Sequence, residues 1–278
     1  MWMKLRFQSR AAFLDERIET FLTTVTELGG YCTLEQAKRL ELANSETRTR
    51  MQLKALERLG FLRRVANYPV VCQITASTTR LLGGDRRARR AHDAETVLNR
   101  LLAVSFYLEA RRWRVKFAFD DARKIDMFLF EGCSTSAIPH RGGKFYLREH
   151  FVFWYEDENK IGVGIMDHQQ HSPFSQLRGL VKSFRRLFGC MGEKLELWVA
   201  TGNTSRHRLY SRLVHNPGIM KFFPAGCATT IKPYQVQRAT ESLELLPRPN
   251  STELPMNLTS QMQKNNAVDT HKLQGESE

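Results

Sequence analysis

One short polar run carries the side chains best suited to contact nucleic acid. In Glu46-Thr47-Arg48-Thr49-Arg50, guanidinium groups alternate with hydroxyl groups. Arginine can donate two parallel hydrogen bonds to a guanine edge or grip a phosphate, and threonine can contact a phosphate or the methyl group of thymine. A solvated polar helix surface explains the same residue types. The run therefore predicts either that surface or DNA contacts by Thr47, Arg48, Thr49 and Arg50.

Further arginines follow in two groups. Arg63 and Arg64 come just before Asn67, near the tip of an expected hairpin, where backbone phosphates would be within reach. The second group lies beside Gly83-Gly84-Asp85 and is either a phosphate-binding segment or a solvated linker between domains. It consists of Arg86, Arg87, Arg89 and Arg90.

Capping and turn signals place the polar run on the third of three helices. Helix starts are predicted at Asp15-Glu16, at Thr33-Leu34-Glu35-Gln36, which has the spacing of a capping box, and at Asn44-Ser45. Gly29-Gly30 closes the first helix. The third runs from Glu46 to Leu59, with core residues expected at Met51, Leu53, Ala55, Leu56 and Leu59.

Two β-prone runs, Phe61–Val65 and Val70–Thr75, follow the third helix and predict a hairpin. Helix, helix, exposed helix and hairpin is the order of a winged helix-turn-helix. In that module one helix enters the major groove and the wing contacts the flanking backbone. We therefore expect double-stranded DNA as a partner, with a second copy of the chain as a further candidate partner.

The composition agrees with a polyanionic partner, because 42 Lys and Arg residues against 29 Asp and Glu give a net charge of +13 over 278 residues. The five cysteines are widely spaced and form no C-x-x-C pair, which argues against a disulfide framework and favours buried thiols. The first residues lack an apolar signal core, and no run approaches membrane-spanning length. We therefore expect a cytoplasmic protein with no membrane partner.

After Asp93 the pattern changes to that of an α/β sandwich with a mixed sheet. Helices are expected at Asp93 to Arg112, Ser175 to Phe188 and Ser205 to Val214. Strands are expected at Val115–Phe119, Ile125–Phe130, Phe151–Tyr155, Ile161–Met166 and Leu195–Ala200. The predicted division is a winged helix over residues 1–85, a basic linker over 86–92, an α/β domain over 93–245 and a disordered tail over 246–278.

Two acidic positions in this second part carry a resemblance. Lys124-Ile125-Asp126 begins one expected strand, and Ile165-Met166-Asp167-His168-Gln169 ends a later one. This element order is similar to the core of restriction-endonuclease-like nucleases. The resemblance implies that Asp126 and Asp167 are the carboxylate ligands of Mg²⁺, with Gln169 where that superfamily has a catalytic lysine. In such a site His168 could act as a proton shuttle. The alternative is that Asp126 and Asp167 are turn residues at the ends of strands.

With the N-terminal module, including Gly60-Phe61-Leu62-Arg63-Arg64, the whole resembles the replication–relaxation family of plasmids and integrative elements, to which MobC-type mobilisation relaxases are related. The resemblance implies an α+β protein that binds duplex DNA in replication, relaxation or mobilisation. One alternative is an enzyme that nicks DNA with Mg²⁺. A second is a transcriptional regulator whose inactive nuclease-like domain mediates dimerisation. Gln169 in place of lysine favours a protein without catalysis.

Three other patterns stay open. His168 and His171 could share zinc, or they could belong to an ordinary loop after a strand. Arg141-Gly142-Gly143-Lys144 could approach a phosphate, or it could be a plain hairpin turn. A basic stripe on the helix from Ser175 to Phe188 is either a second DNA contact or the solvent-exposed face of an amphipathic helix. The stripe consists of Lys182, Arg185 and Arg186.

Overall fold

The computed structural model describes residues 9, 12, 14–83, 93–141, 144–145, 147, 150–168, 172–222 and 231–246. The fold is mixed α and β, and all the elements named below belong to one compact unit that ends at Leu245. Among the described helices, none combines the length and the apolar character needed to cross a lipid bilayer.

The N-terminal part consists of short helices around a small sheet. Its elements in chain order are α1 (Glu16–Glu27), β1 (Tyr31–Thr33), α2 (Leu34–Arg39), α3 (Glu46–Arg58), β2 (Leu62–Asn67), β3 (Val70–Ile74) and α4 (Ala76–Leu81). The strands form an antiparallel sheet in the order β1-β3-β2. The three helices and the hairpin lie where the sequence predicted them, whereas β1 was not predicted.

Side-chain caps explain where these helices begin. The Asp15 carboxylate accepts from the Ile18 amide at 2.8 Å, and the Ser45 hydroxyl accepts from the Arg48 amide at 3.3 Å. The predicted capping box is confirmed, because the Thr33 hydroxyl accepts from the Gln36 amide while the Gln36 side chain accepts from the Thr33 amide. Each cap satisfies amide donors that the first helical turn leaves without a helical acceptor.

The second part is built on a five-stranded sheet. Its elements are α5 (Ala94–Ala110), β4 (Val115–Ala118), α6 (Asp121–Phe130), β5 (His140–Arg141), β6 (Lys144–Phe145), β7 (Phe151–Tyr155), β8 (Ile161–Met166), α7 (Pro173–Met191), β9 (Leu195–Thr201), α8 (Thr204–Leu213), α9 (Pro217–Met220) and β10 (Ile231–Gln235). The strand order is β10-β9-β8-β7-β4. The sheet is mixed, as predicted, because β10, β9 and β8 pair in parallel, whereas β8, β7 and β4 pair antiparallel.

Each face of this sheet has its own core. On one face, strand residues such as Val163 and Leu197 pack with Phe184 of α7. On the other face, Phe106 of α5 packs on Phe151 and Phe153 of β7. The fold therefore has helices on both sides of the sheet, as a mixed sheet buried on both faces requires.

One predicted strand is wrong, because residues 125–130 belong to helix α6. Asp120 caps this helix by accepting from the Arg123 amide at 2.7 Å. The buried side chains are Lys124 and Phe128, four residues apart, while Phe130 is exposed. The apolar run was therefore predicted as a strand, although its buried residues are spaced as in a helix.

Helix α5 is buried on two sides and connects both parts. Gln36 of α2 donates to the Leu101 carbonyl at 2.8 Å and to the Ser105 hydroxyl at 2.9 Å. Arg100 donates to the Gly29 carbonyl at 2.6 Å. The opposite side of α5 packs on the sheet through Phe106. The predicted linker, residues 86–92, and most of the predicted tail lie outside the described residues.

Candidate functional site

The surface of α3 is divided into an anchored side and an exposed side. Leu53 and Leu56 are buried in the core beneath the helix. The exposed side is rich in basic residues over the whole length of the helix, namely Arg48, Arg50, Lys54 and Arg58. It also contains Glu46, Thr47, Met51 and Ala55. A helix held by one side and open on the other is what groove binding requires.

Three residues of α3 lie on the opposite side of the helix from the one predicted. Thr49 is fully buried, and its hydroxyl donates to the Ser45 carbonyl at 2.8 Å, so this side chain is not available to DNA. Met51 is 65% exposed and Ala55 is exposed, although both were predicted to lie in the core. The cause is helical phase, because Leu53 and Leu56 fix the buried side and turn positions 51 and 55 away from it.

The other predicted contact residues of α3 are exposed. Arg50 forms an ion pair with Glu46 at 3.1 Å, one helical turn away. Such exposed pairs contribute about 0–1 kcal/mol, so an incoming phosphate or guanine can take the place of Glu46 at little cost. Thr47 and Arg48 are also exposed in the first turn, where the amide groups of a helix favour negative charge.

In the hairpin, Arg63 and Arg64, which were predicted to contact phosphates, are partly buried and bond to neighbouring side chains. Arg63 donates to the Gln73 side chain at 2.7 Å across β2 and β3. Arg64 pairs with Glu57 of α3 at 3.1 Å, and both side chains are about one-third exposed. The tip is the exposed part of the hairpin, where Tyr68 is 89% exposed.

At the end of β8, Asp167 lies in a closed polar cluster. Its side chain is fully buried and accepts from Arg206 of α8 through Nε at 2.5 Å and through Nη2 at 2.9 Å. The Tyr210 hydroxyl donates to the same carboxylate at 2.5 Å and lies 3.0 Å from the Gln176 amide. Burial, and then the hydrogen bond to Asp167, raises the pKa of Tyr210 well above its ordinary value. Both carboxylate oxygens are therefore engaged by protein donors.

The predicted magnesium pair does not fit this geometry. Asp126 lies on α6 with an exposed side chain, not at the start of a strand. The Asp167 side chain is fully buried, and its carboxylate is paired with the Arg206 cation in place of a metal ligand set. In the part of the chain that the structure describes, no three His, Cys, Asp or Glu side chains cluster as metal ligands.

The remaining predicted residues are placed as follows. His168 is half-buried. Its backbone amide donates to the Asn99 side chain at 3.2 Å, and its Nε2 lies 3.1 Å from the Thr240 carbonyl. Gln169 and His171 lie outside the described residues, as do the arginines of the basic run, which are Arg86, Arg87, Arg89 and Arg90. The backbones of Arg141 in β5 and Lys144 in β6 pair antiparallel, so this segment is a hairpin, whose two turn glycines lie outside the described residues.

Three residues that could serve the site were not singled out from the sequence. Lys54 and Arg58 extend the exposed basic side of α3, and Tyr68 lies at the hairpin tip. The spacing of Arg50, Lys54 and Arg58 by four residues would have revealed the first two, because such residues share one side of a helix. No comparable pattern marks Tyr68.

No protein-family model, no curated protein and no solved structure matches this chain. The features of this chain that bear on its function are the exposed basic side of α3, the hairpin tip and the closed cluster around Asp167.

Proposed function

We propose that this protein binds duplex DNA through a winged helix made of α1 to α3 and the β2–β3 hairpin. The proposal is supported by the chain order α1-β1-α2-α3-β2-β3 and by the sheet order β1-β3-β2. In a module of this kind the third helix enters the major groove while the hairpin lies over the adjacent backbone. The net charge of +13 supports the same class of partner.

The observation that carries the proposal is the exposed basic side of α3. Arg48 and Arg50 lie in its first turns, and Lys54 and Arg58 follow on the exposed side. In this proposal Arg48 and Arg50 contact base edges or phosphates near the start of the helix, together with Thr47. Lys54 and Arg58 contact phosphates, because the later turns of a recognition helix lie further from the bases.

The hairpin would contribute through its tip. Tyr68 presents a phenol hydroxyl that can donate to a phosphate oxygen, and Asn67 is exposed beside it. Arg63 and Arg64 then have a double role, because each holds the hairpin in place while its side chain stays partly exposed. Their removal is expected to weaken DNA binding through both effects.

The test is DNA binding after selection of a preferred duplex from a random pool. Fluorescence anisotropy would compare the wild type with Arg48→Ala and Arg50→Ala. Loss of a base contact is expected to cost about 1–3 kcal/mol on the preferred duplex and much less on random duplex. Arg123→Ala is the matched control, since Arg123 is an exposed helical arginine on α6. If the α3 variants bind like the control, α3 is not the recognition helix.

We further propose that the DNA-binding activity serves replication, relaxation or mobilisation of a plasmid or integrative element. This part is supported by the resemblance in the N-terminal module, whereas the strand expected at Ile125–Phe130, on which the nuclease-like resemblance also depended, is helix α6. The closed state of Asp167 favours a binding or regulatory role over nicking, because this carboxylate is buried and both of its oxygens accept hydrogen bonds from Arg206. A nicking assay on supercoiled DNA with Mg²⁺ would contradict this choice if the wild type produced relaxed circles that an Asp167→Asn variant, shown to be folded by circular dichroism, did not produce.

A further inference from the structure

Helix α7 has an exposed side that is entirely basic or neutral. Arg178, Lys182, Arg185 and Arg186 are exposed and follow one another at spacings that keep them on one side of the helix. The sequence of α7 contains no acidic residue. The opposite side is anchored in the core, so the orientation of this basic side is fixed.

Three positively charged side chains lie close to one aromatic ring at one end of this surface. Phe222 lies 5.1 Å from the guanidinium carbon of Arg178 and 5.0 Å from the Lys182 Nζ. The Lys221 Nζ lies 5.5 Å from the same ring. We call Arg178, Lys182, Arg185, Arg186 and Lys221 the α7 basic patch.

Within the patch, only Arg186 donates to a protein oxygen among the hydrogen bonds of the described residues, namely to the Ser136 carbonyl at 3.1 Å. None of the five residues forms an ion pair with an acidic residue in the described ranges. The Phe222 ring attracts each cation, yet the cations repel one another within the screening length of about 10 Å at 0.1 M salt. A polyanion at this surface would remove that repulsion. By contrast, the cations of Arg114, Lys116 and Lys160 are each paired with a neighbouring carboxylate.

We propose that the α7 basic patch is a second DNA-contact surface, which binds the phosphate backbone without reading sequence. From Arg178 to Arg186 the helix rises about 12 Å, which corresponds to roughly three or four phosphates along one strand. The surface is an open helix side, suited to a row of phosphates more than to a single small anion. That the ligand is DNA rests on the proposed function, whereas the existence of the α7 basic patch does not depend on α3.

The test uses the full chain and a labelled duplex of random sequence. Arg178→Gln, Lys182→Gln and Arg185→Gln are combined in one variant. Affinity is measured by anisotropy at several salt concentrations. We expect the slope of log K against log salt to fall by about 0.9 for each lost phosphate contact, and the affinity near 0.1 M salt to fall at least about tenfold. Circular dichroism checks that the fold is unchanged.

The matched control carries Arg114→Gln, Lys116→Gln and Lys160→Gln and loses the same number of charges. We expect it to leave the salt slope nearly unchanged, because these cations are already paired. If both triple variants weaken binding equally, only total charge matters and the proposal is overturned. If the α7 variant binds like the wild type, its basic side is an ordinary solvated surface and the proposal is again overturned.

A third variant, Arg48→Ala with Arg50→Ala, separates this inference from the proposed function, and for this comparison every protein is measured on the preferred duplex, where loss of the α3 base contacts is expected to lower affinity. Weak binding by the α3 variant alone would support the winged helix and overturn the α7 surface. Weak binding by the α7 variant alone would support the α7 surface and overturn α3 as the recognition helix. Failure of the wild type to bind any duplex would overturn both.

Discussion

The aspartate at the end of β8 is expected to stabilise the fold, so its charge should matter for unfolding. Asp167→Asn keeps the size of the side chain and removes the negative charge that Arg206 contacts through two nitrogen atoms. Arg206 is only 14% exposed and Asp167 is fully buried, so the variant leaves a largely buried cation without its counter-ion. Breaking a buried ion pair from one side costs about 3–5 kcal/mol.

The assay is unfolding by heat and by urea at neutral pH, followed by far-ultraviolet circular dichroism. For a domain of this size, 1 kcal/mol shifts Tm by roughly 2–4 °C, so Asp167→Asn is expected to lower Tm by about 6–20 °C. Arg206→Met should destabilise as well. The double variant should lose less than the two single losses together, since no buried charge is then left alone.

The matched control is Asp126→Asn, because Asp126 lies with an exposed side chain on α6. It should change the free energy of unfolding by no more than about 0.5 kcal/mol. An Asp167→Asn variant as stable as the wild type would refute the reasoning. That result together with a loss of Mg²⁺-dependent nicking would assign Asp167 to catalysis.

Further predictions concern the packing of Gly162, the protonation of His150 and the reactivity of two cysteines. Gly162→Ala would place a methyl group on the Phe153 ring, and urea unfolding should show a loss of about 1–3 kcal/mol, whereas an unchanged midpoint would mean that the ring can move aside. Burial lowers the pKa of His150 from 6.5 to about 4, so the folded state binds fewer protons than the unfolded state. Stability should therefore fall by about 3 kcal/mol as pH drops from 6.5 to 4, and His150→Gln should weaken this dependence; identical pH profiles would contradict it. Cys190 is exposed, while burial raises the pKa of Cys72 to about 12, so brief alkylation and peptide mapping should find Cys190 modified and Cys72 intact in the folded protein.

The helices that could be predicted are those whose ends depend on nearby residues. Thr33 and Gln36 cap one another across three positions, and the Ser45 cap acts over the same distance. Such signals are complete within a few residues of sequence. The same holds for β7, where a nearly continuous apolar run predicts a strand buried on both faces, and for the β-prone run of β8; both strands are confirmed.

The parts that were missed depend on distant partners. The run Ile125–Phe130 has no local feature that separates strand from helix, and the burial of Phe128 against the sheet decides it. Asp167 looks like an available carboxylate until Arg206, thirty-nine positions along the chain, is placed beside it. The strand β1 is too short to predict, and it exists because it pairs with β3.

The attachment of α2 to α5 affects how the two proposed DNA surfaces would work together. Gln36 and Arg100 make buried or half-buried hydrogen bonds between the N-terminal part and α5, and breaking such bonds leaves polar groups unsatisfied at about 1–3 kcal/mol each. Both proposed surfaces belong to the same compact unit. Once α3 holds DNA, phosphates are presented to the α7 basic patch at high effective concentration if the duplex spans both surfaces. A surface too weak to bind DNA by itself would then still add measurably to affinity and to its dependence on salt.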